Sequence, residues 1–408
     1  MFSSHVGRAG SVLNSEIRGG SDRFDDPLSF FIASLAVFLT ARDYFVWLDF
    51  SISGLPTNTL AAVGLVAIAS FRKPKWRLRL PFITVTAVAL FLWLVFTTVV
   101  IHGDWNIRRM GNILVLLLIG GAIASGRLGL KSLTVGGILG YLLALVTSVI
   151  LMEESSYTGR LTGVLGDPNA AGFILVTLGL SFAQGLDSRL RPWRWALFTV
   201  AVFGVWLTQS RTTMFALAIA TLWILVSRFL PRWPAAFALA STVWFYAWIY
   251  GVMEERGWFA DRDGSDALRE RLILAEQLQV QQAGWTGNGL GTAVAKLDNI
   301  TLFFHNSYLA MQAEGGKIAL YLLYAFIVAL FLTIHRVPSK SRPVWVEAGV
   351  IAGFICSINI GFSITHPALA VAIGLYLYHY CKFREESQRD QLPSAYRKPE
   401  LKAVSQPR

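Results

Sequence analysis

Two kinds of residue in this chain stand where they can do chemistry. His305 and Asn306 head the run "HNSYLAMQAEGGKIALYLLYAFIVALFL", and Glu314 and Lys317 lie further along it. A histidine titrates near ambient pH, so it can serve as a general base or orient an acceptor. Arg160 in "YTGRLTGVLGDPNAAGF", Arg211 in "WLTQSRTTMFAL" and Arg271 in "DGSDALRERLILAEQLQVQQAGWTGNGLGT" occupy polar breaks between apolar runs. A guanidinium fixed in a tight turn between buried helices is a well-placed anion ligand. Each feature also has a plainer reading. An arginine at a bilayer edge snorkels to headgroups, and a lone interfacial histidine often just completes a hydrogen-bond network. Asp167-Pro168-Asn169 is helix-start chemistry, with Pro at the first helical position. Glu314 and Lys317 are i,i+3 neighbours able to neutralise each other.

Apolar runs supply the elements that must position these residues. Of 408 residues, 54% are hydrophobic and 15% charged, whereas soluble domains are roughly a quarter charged. About 20 apolar residues cross a hydrocarbon core. Runs of that order recur near 28–46, 55–71, 81–101, 109–125, 132–152, 168–186, 195–209, 212–230, 234–253, 306–333, 344–363 and 367–381. The sequence therefore predicts an all-α integral membrane protein of about twelve transmembrane helices, each near the length a bilayer requires. One long extracytoplasmic loop, 254–306, falls between helices nine and ten. The spans form one membrane domain, 28–381, between a polar tail, 1–27, and a basic tail, 382–408. No cleavable signal is expected from the polar, Gly/Ser-rich start. Cys356 and Cys381 both fall in spans, so no disulfide framework is indicated.

Charge sets the orientation. With the amino terminus inside, the inner segments include the "RKPKWRLR" run at 72–79, Arg127 and Lys131, Arg189 to Arg194, Arg228, Arg336 to Arg342 and the tail. They hold most of the 36 lysines and arginines. This is the positive-inside pattern, so both termini are expected in the cytoplasm. The net charge of +11 then reads as anchoring, and nucleic-acid binding is not needed to explain it. Arg42, Arg108, Arg109, Arg160 and Arg211 fall in short outer segments against the trend.

Within the long loop, Ser265 or Asp266 can cap a helix. On a 3.6-residue wheel Leu268, Leu272, Ala275 and Gln279 form a stripe with Arg271 at its edge. "GWTGNGLGT" resembles phosphate-loop glycines, but it lacks the preceding strand and the Lys-Ser/Thr ending, and it faces outward; a nucleotide site is rejected. In a helix starting near 305, Glu314 is about 180° round from His305 and roughly 13 Å deeper. The two are not expected to form a dyad.

Four motifs, in this order on one face, resemble the O-antigen ligase and Wzy-type polymerase superfamily of membrane glycosyltransferases. They are "GRLTGVLGDPNAAG", "QSRT", "RERLILAEQLQ…GWTGNGLGT" and "HNSYLAMQAEGG". The resemblance covers the whole architecture and is most specific from about 157 to 320. It implies a bacterial plasma membrane enzyme of polysaccharide or lipopolysaccharide biosynthesis. The donor would be a glycan on polyprenyl diphosphate, the acceptor a hydroxyl of a glycan or glycolipid at the outer leaflet, and no metal or cofactor would take part. Together with the topology it assigns Arg160, Arg211 and Arg271 to the diphosphate and His305 to the acceptor proton. Asn306 would fix His305 or a sugar hydroxyl, and Glu314 would support the site from behind. Arg108 and Arg109 are further phosphate candidates, and Asp167 and Asn169 further substrate contacts. Ligase and polymerase are not separated by sequence. The rival of another class is a secondary transporter, against which stand the lack of an obvious internal repeat and of paired Gly/Pro-broken spans.

Overall fold

A computed structural model describes residues 27–40, 57–78, 80–152, 159–186, 190–231, 233–235, 237–238, 241, 265–297, 300–333 and 337–391. Its elements are α1 (Pro27–Thr40), α2 (Thr57–Ser70), α3 (Pro81–Phe96, continued by a π-helical turn, Thr97–Ile101), α4 (Ile107–Ala124), α5 (Leu130–Ile150), α6 (Pro168–Gly185), α7 (Arg191–Thr208) and α8 (Arg211–Val226). Then follow α9 (Ser265–Ala283), β1 (Val294–Leu297), β2 (Ile300–Phe303), α10 (Ser307–Leu332), α11 (Val344–Cys356) and α12 (Pro367–Gln391). The protein is mostly helical. Among the described residues four stretches are long and apolar enough to cross a membrane: Pro81–Ile101, α4, α5 and α10. Shorter apolar helices lie in α1, α2, α8 and α11.

The core is organised around α6. Every residue from Ala170 to Ala183 is buried, which is the signature of a helix enclosed on all sides. It packs against α5, α7, α8, α11 and α12. α1 and α5 meet through small residues. A Cβ at Gly136 would fall 2.3 Å from the Phe30 carbonyl oxygen, and one at Gly140 would fall 2.2 Å from that of Ser34. This four-residue spacing of glycines lets two backbones touch, the usual device where lipid supplies no hydrophobic drive between helices.

At the end of α8 lies a buried ion pair. Arg342 donates from Nη2 and Nε to the two carboxylate oxygens of Glu347, at 2.7 and 3.1 Å, and from Nη1 to the Ser227 carbonyl. Trp223 donates its indole N–H to the same carboxylate at 2.9 Å, and its ring lies beneath the guanidinium. Every charge here is paired and hydrogen-bonded, as burial demands.

The structure departs from the sequence reading in four places. The expected span 344–363 is helical only to Cys356, and residues 357–366 form a turn that packs beneath the start of α10. The helix expected at 367–381 runs on to Gln391, into the predicted tail, where Lys382 and Glu386 pair at i,i+4. The loop contains an antiparallel hairpin, β1 with β2, with Val294 opposite Phe303, so the chain is not wholly helical. Finally, α10 is broken at Gly316 (φ 71°, ψ −172°). Most of the ninth span, residues 254–264 of the loop, Arg42 and most of both tails lie outside the described residues.

Candidate functional site

The break in α10 explains the glycine-rich loop. At Gly316 the helix can no longer satisfy its own backbone, and freed N–H and C=O groups inside a membrane protein must find partners. Residues 284–289 supply them. Asn288 and Gly289 donate their N–H groups to the Ala313 and Glu314 carbonyls at 2.8 and 2.9 Å. In return Lys317 and Ile318 donate to the Gly284 and Trp285 carbonyls. Trp93 of α3 donates to the Gly315 carbonyl at 2.7 Å. Gly287 and Gly316 both have positive φ and each meets the other strand's backbone. A Cβ on Gly287 would lie 2.4 Å from the Glu314 oxygen, and one on Gly316 would lie 2.1 Å from the Trp285 oxygen. "GWTGNGLGT" is thus a clip on a broken helix.

The clip also engages the turn before α4. His102 Nε2 meets the Gly287 carbonyl at 2.9 Å, Asn106 donates to the Leu290 carbonyl, and Leu290 N–H donates to Thr98. Glu314, buried at the break, accepts the Gly291 N–H at 2.9 Å and faces Arg109 at 3.7 Å. Its ionic partner is therefore Arg109 and not the neighbouring Lys317, because the break at Gly316 takes Lys317 off the helical i,i+3 position. The Lys317 ammonium sits instead over the Trp285 ring. Arg108 points outward and is exposed.

The arginine turns meet one another. α7 ends at Gln209 in the left-handed conformation (φ 48°, ψ 30°), among the described residues the one non-glycine with positive φ. Ser210 is extended and α8 begins at Arg211. Ser210 does not cap α8 with its side chain; its hydroxyl donates to Asn169 Oδ1 at 2.7 Å. Arg160 lies across the end of α7, donating to the Thr208 and Gln209 carbonyls at 3.0 and 3.5 Å. Asp167 caps α6, accepting from the Asn169 and Ala170 N–H groups, as its helix-start position implied. Arg160, Asn169 and Arg211 thus form one unit, with Arg211 exposed at the positive end of the α8 dipole.

From there the network crosses to the start of α10. Asn359 donates to Thr212 at 2.7 Å. Two residues before Asn359, the Ser357 carbonyl accepts the Ser307 N–H. The Ser307 hydroxyl bonds both the Ile360 carbonyl and Ser363. Asn306 turns its side chain onto the Tyr308 and Leu309 N–H groups; it caps α10, where the sequence reading had it fixing His305 or a sugar. His366, next to this turn, accepts the Ala368 N–H and packs edge-on to Phe173. Burial pushes its pKa down to about 4, so it is a neutral structural residue.

His305 stands beside Glu276 of α9. The carboxylate accepts the His305 backbone N–H at 2.6 Å and lies 3.8 Å from Nδ1. Glu276 is 1% exposed; burial pushes its pKa up to about 7, with the His305 N–H opposing. Glu276 was missed among the many acids of the loop. The signal was present, since it sits four residues after buried Leu272 and four before buried Val280, on the apolar stripe of α9. Arg271, five residues earlier on the same helix, is exposed. Among the described residues no group of His, Cys, Asp and Glu is arranged to hold a metal. Compared with known proteins, the chain matches no protein-family model and no curated protein.

Proposed function

We propose that this protein is a membrane glycosyltransferase of the O-antigen-ligase type, moving a glycan from polyprenyl diphosphate to an acceptor hydroxyl on the outer side of a bacterial plasma membrane. The observation that carries the reading is the junction of the arginine turns with the His305 segment. An α8 N-terminus without a side-chain cap, bearing Arg211 and flanked by Arg160, is hydrogen-bonded through Thr212 and Asn359 to the turn that seats the start of α10. Helix N-termini and guanidinium groups are the standard protein ligands for phosphate oxygens.

In this reading the acceptor oxygen attacks the anomeric carbon and the bond from that carbon to the diphosphate oxygen breaks. The electron pair leaves with polyprenyl diphosphate, and the acceptor proton passes to His305. Positive charge placed beforehand at the leaving group is commonly the largest catalytic contribution. Arg160, Arg211 and Arg271 supply it here, with Arg108 and Arg109 at the rim and Asn169 and Asp167 holding the turn. Asn306 and Glu314 keep α10 in place. About twelve spans, both termini inside and the long loop outside belong to the same reading.

Purified protein in liposomes, given lipid-linked glycan and candidate acceptors, tests it. Transfer by wild type and its loss in His305→Ala and Arg271→Ala are expected; wild-type rates in either variant sink the assignment. A product that stays on polyprenyl diphosphate and lengthens identifies a polymerase. The broken α10 favours the transporter alternative, because such helices bind ions in transporters. Here, however, the clip takes up the freed groups that a substrate or ion would use. Ion-coupled solute flux with no dependence on lipid-linked glycan would establish that alternative.

A further inference from the structure

We propose that Glu276 is the positioning residue of His305, holding the imidazole with its proton on Nδ1 so that Nε2 is the base that meets the acceptor hydroxyl. The inference rests on the proposed transfer reaction and deepens it. Its geometric basis is the double approach of one carboxylate oxygen, to the His305 N–H at 2.6 Å and to Nδ1 at 3.8 Å. The histidine Nδ1 is buried, while 41% of its side chain is exposed. The ring therefore turns one nitrogen to the carboxylate and its far edge outward. At 3.8 Å the Nδ1 approach is an ion-pair contact and not a hydrogen bond; catalytic pairs are often this loose before substrate binds and tighten in the complex.

A structural role alone does not call for a carboxylate here. A glutamine would accept the same backbone N–H without the cost of burying an ionisable group. Among the described side chains the other charges nearby are otherwise placed. On α9 itself Arg271 is exposed, and Asp266, Arg269 and Glu270 belong to its first two turns. The elements packed on α9 are α10 and β1. Of the charged groups on α10, Glu314 faces Arg109 and Lys317 lies over Trp285; β1 carries Lys296. The titratable group that meets the Glu276 carboxylate is His305.

The proton balance is simple. As the acceptor oxygen bonds to the anomeric carbon and the diphosphate leaves, Nε2 takes the hydroxyl proton. The imidazolium that forms is stabilised by its Nδ1–H facing the Glu276 carboxylate, which is ionised above about pH 7, and the proton then passes to water at the exposed edge. The carboxylate sets the tautomer and stabilises the cation, the task of the third member of a catalytic triad.

The test uses the full-length protein in liposomes and Glu276→Gln, which keeps an acceptor for the His305 N–H, with Glu276→Asp as the variant that retains charge. Expected are a fall in kcat of about 100-fold in E276Q, the lower end of what acid–base catalysis contributes, and partial recovery in E276D. In wild type the acid limb of kcat/KM should lie above the ordinary histidine value, because the last proton is shared with a carboxylate. In E276Q the limb should drop to about 6.5 or below. Histidine-selective NMR, assigned with His305→Ala, should show the His305 midpoint falling in step. An E276Q that transfers at the wild-type rate, or loses rate with an unmoved acid limb, overturns the inference and leaves the proposed function standing. If wild type transfers no glycan, the proposed function fails; the NMR midpoint still decides the pairing, and a midpoint unmoved by E276Q overturns it.

Discussion

Gly287→Ala tests whether the clip on α10 holds the outer loop in place. The new Cβ would fall 2.4 Å from the Glu314 carbonyl oxygen and 2.4 Å from the Gly316 nitrogen. Both are backbone atoms, so no side chain can swing away. To relieve the contact, residues 284–289 must lift off the break. Four backbone hydrogen bonds then open: Asn288 to Ala313, Gly289 to Glu314, Lys317 to Gly284 and Ile318 to Trp285. At about 1 kcal/mol net for each, plus about 1 kcal/mol for an L residue at positive φ, the local cost is about 4–5 kcal/mol. Gly284→Ala is the control, because its φ is also positive but nothing lies within 4 Å of its Cβ. It should incur only the conformational strain. Hydrogen exchange on the protein in nanodiscs reads the difference. Amides of 288–289 and 317–318 should exchange about 1,000-fold faster in Gly287→Ala, since each 1.4 kcal/mol is tenfold, and less than tenfold faster in Gly284→Ala. Transfer should fall with Gly287→Ala. Equal protection in the two variants would refute the argument that backbone contact, not φ alone, selects glycine at 287.

Arg160→Ala and Arg211→Ala should both lose transfer. Arg160 holds the end of α7, so its loss should also lower stability by about 1–2 kcal/mol, and Arg211→Lys, which keeps the positive charge but not the bidentate fork, should retain part of the transfer that Arg211→Ala loses. Glu347→Leu leaves the Arg342 guanidinium unpaired in the core, and the melt should record a loss of about 3–5 kcal/mol. The buried His366 gives a signed pH dependence. Its folded pKa, about 4, lies below the unfolded 6.5, so the unfolded chain binds more protons between those values and stability rises with pH there. Over that window the contribution is about 3 kcal/mol, lost as pH falls from 6.5 towards 4. Glu276, raised from 4.5 to about 7, acts oppositely: its contribution is present below 4.5 and is lost as pH rises to 7. His366→Gln should therefore flatten the acid side of the melting curve, and an unchanged acid side would count against burial of His366.

Residue pattern was a good guide to where helices lie and a poor guide to where they stop. α6 coincides with its expected span because Pro168 and the Asp167 cap mark its start and its apolar run its end. α11 is shorter than its span because Ile358 and Ile360 are apolar for burial in the turn beneath the α10 start, and hydropathy does not distinguish that from lipid. The hairpin lies in "AVAKLDNITLFF", where Asp298-Asn299 is turn chemistry between two short apolar runs, but it was masked by the helix pattern on either side. His305 and Glu314 were rightly kept apart by helical geometry. Glu314 and Lys317, able by spacing to neutralise each other, do not pair, because one residue of left-handed backbone at Gly316 removes the i,i+3 relation.

By itself the amino-acid sequence pointed to a mostly helical, membrane-embedded protein, because apolar length is additive along a chain. It also marked His305, Arg160, Arg211 and Arg271 as residues out of keeping with their surroundings. Only the tertiary structure decided who their partners are. Arg160 belongs to the end of α7, Arg109 to Glu314, and His305 to Glu276, 29 residues away. Those pairings depend on backbone breaks at Gln209, Gly287 and Gly316, where single dihedral angles redirect whole segments, and no periodicity in the sequence encodes that redirection.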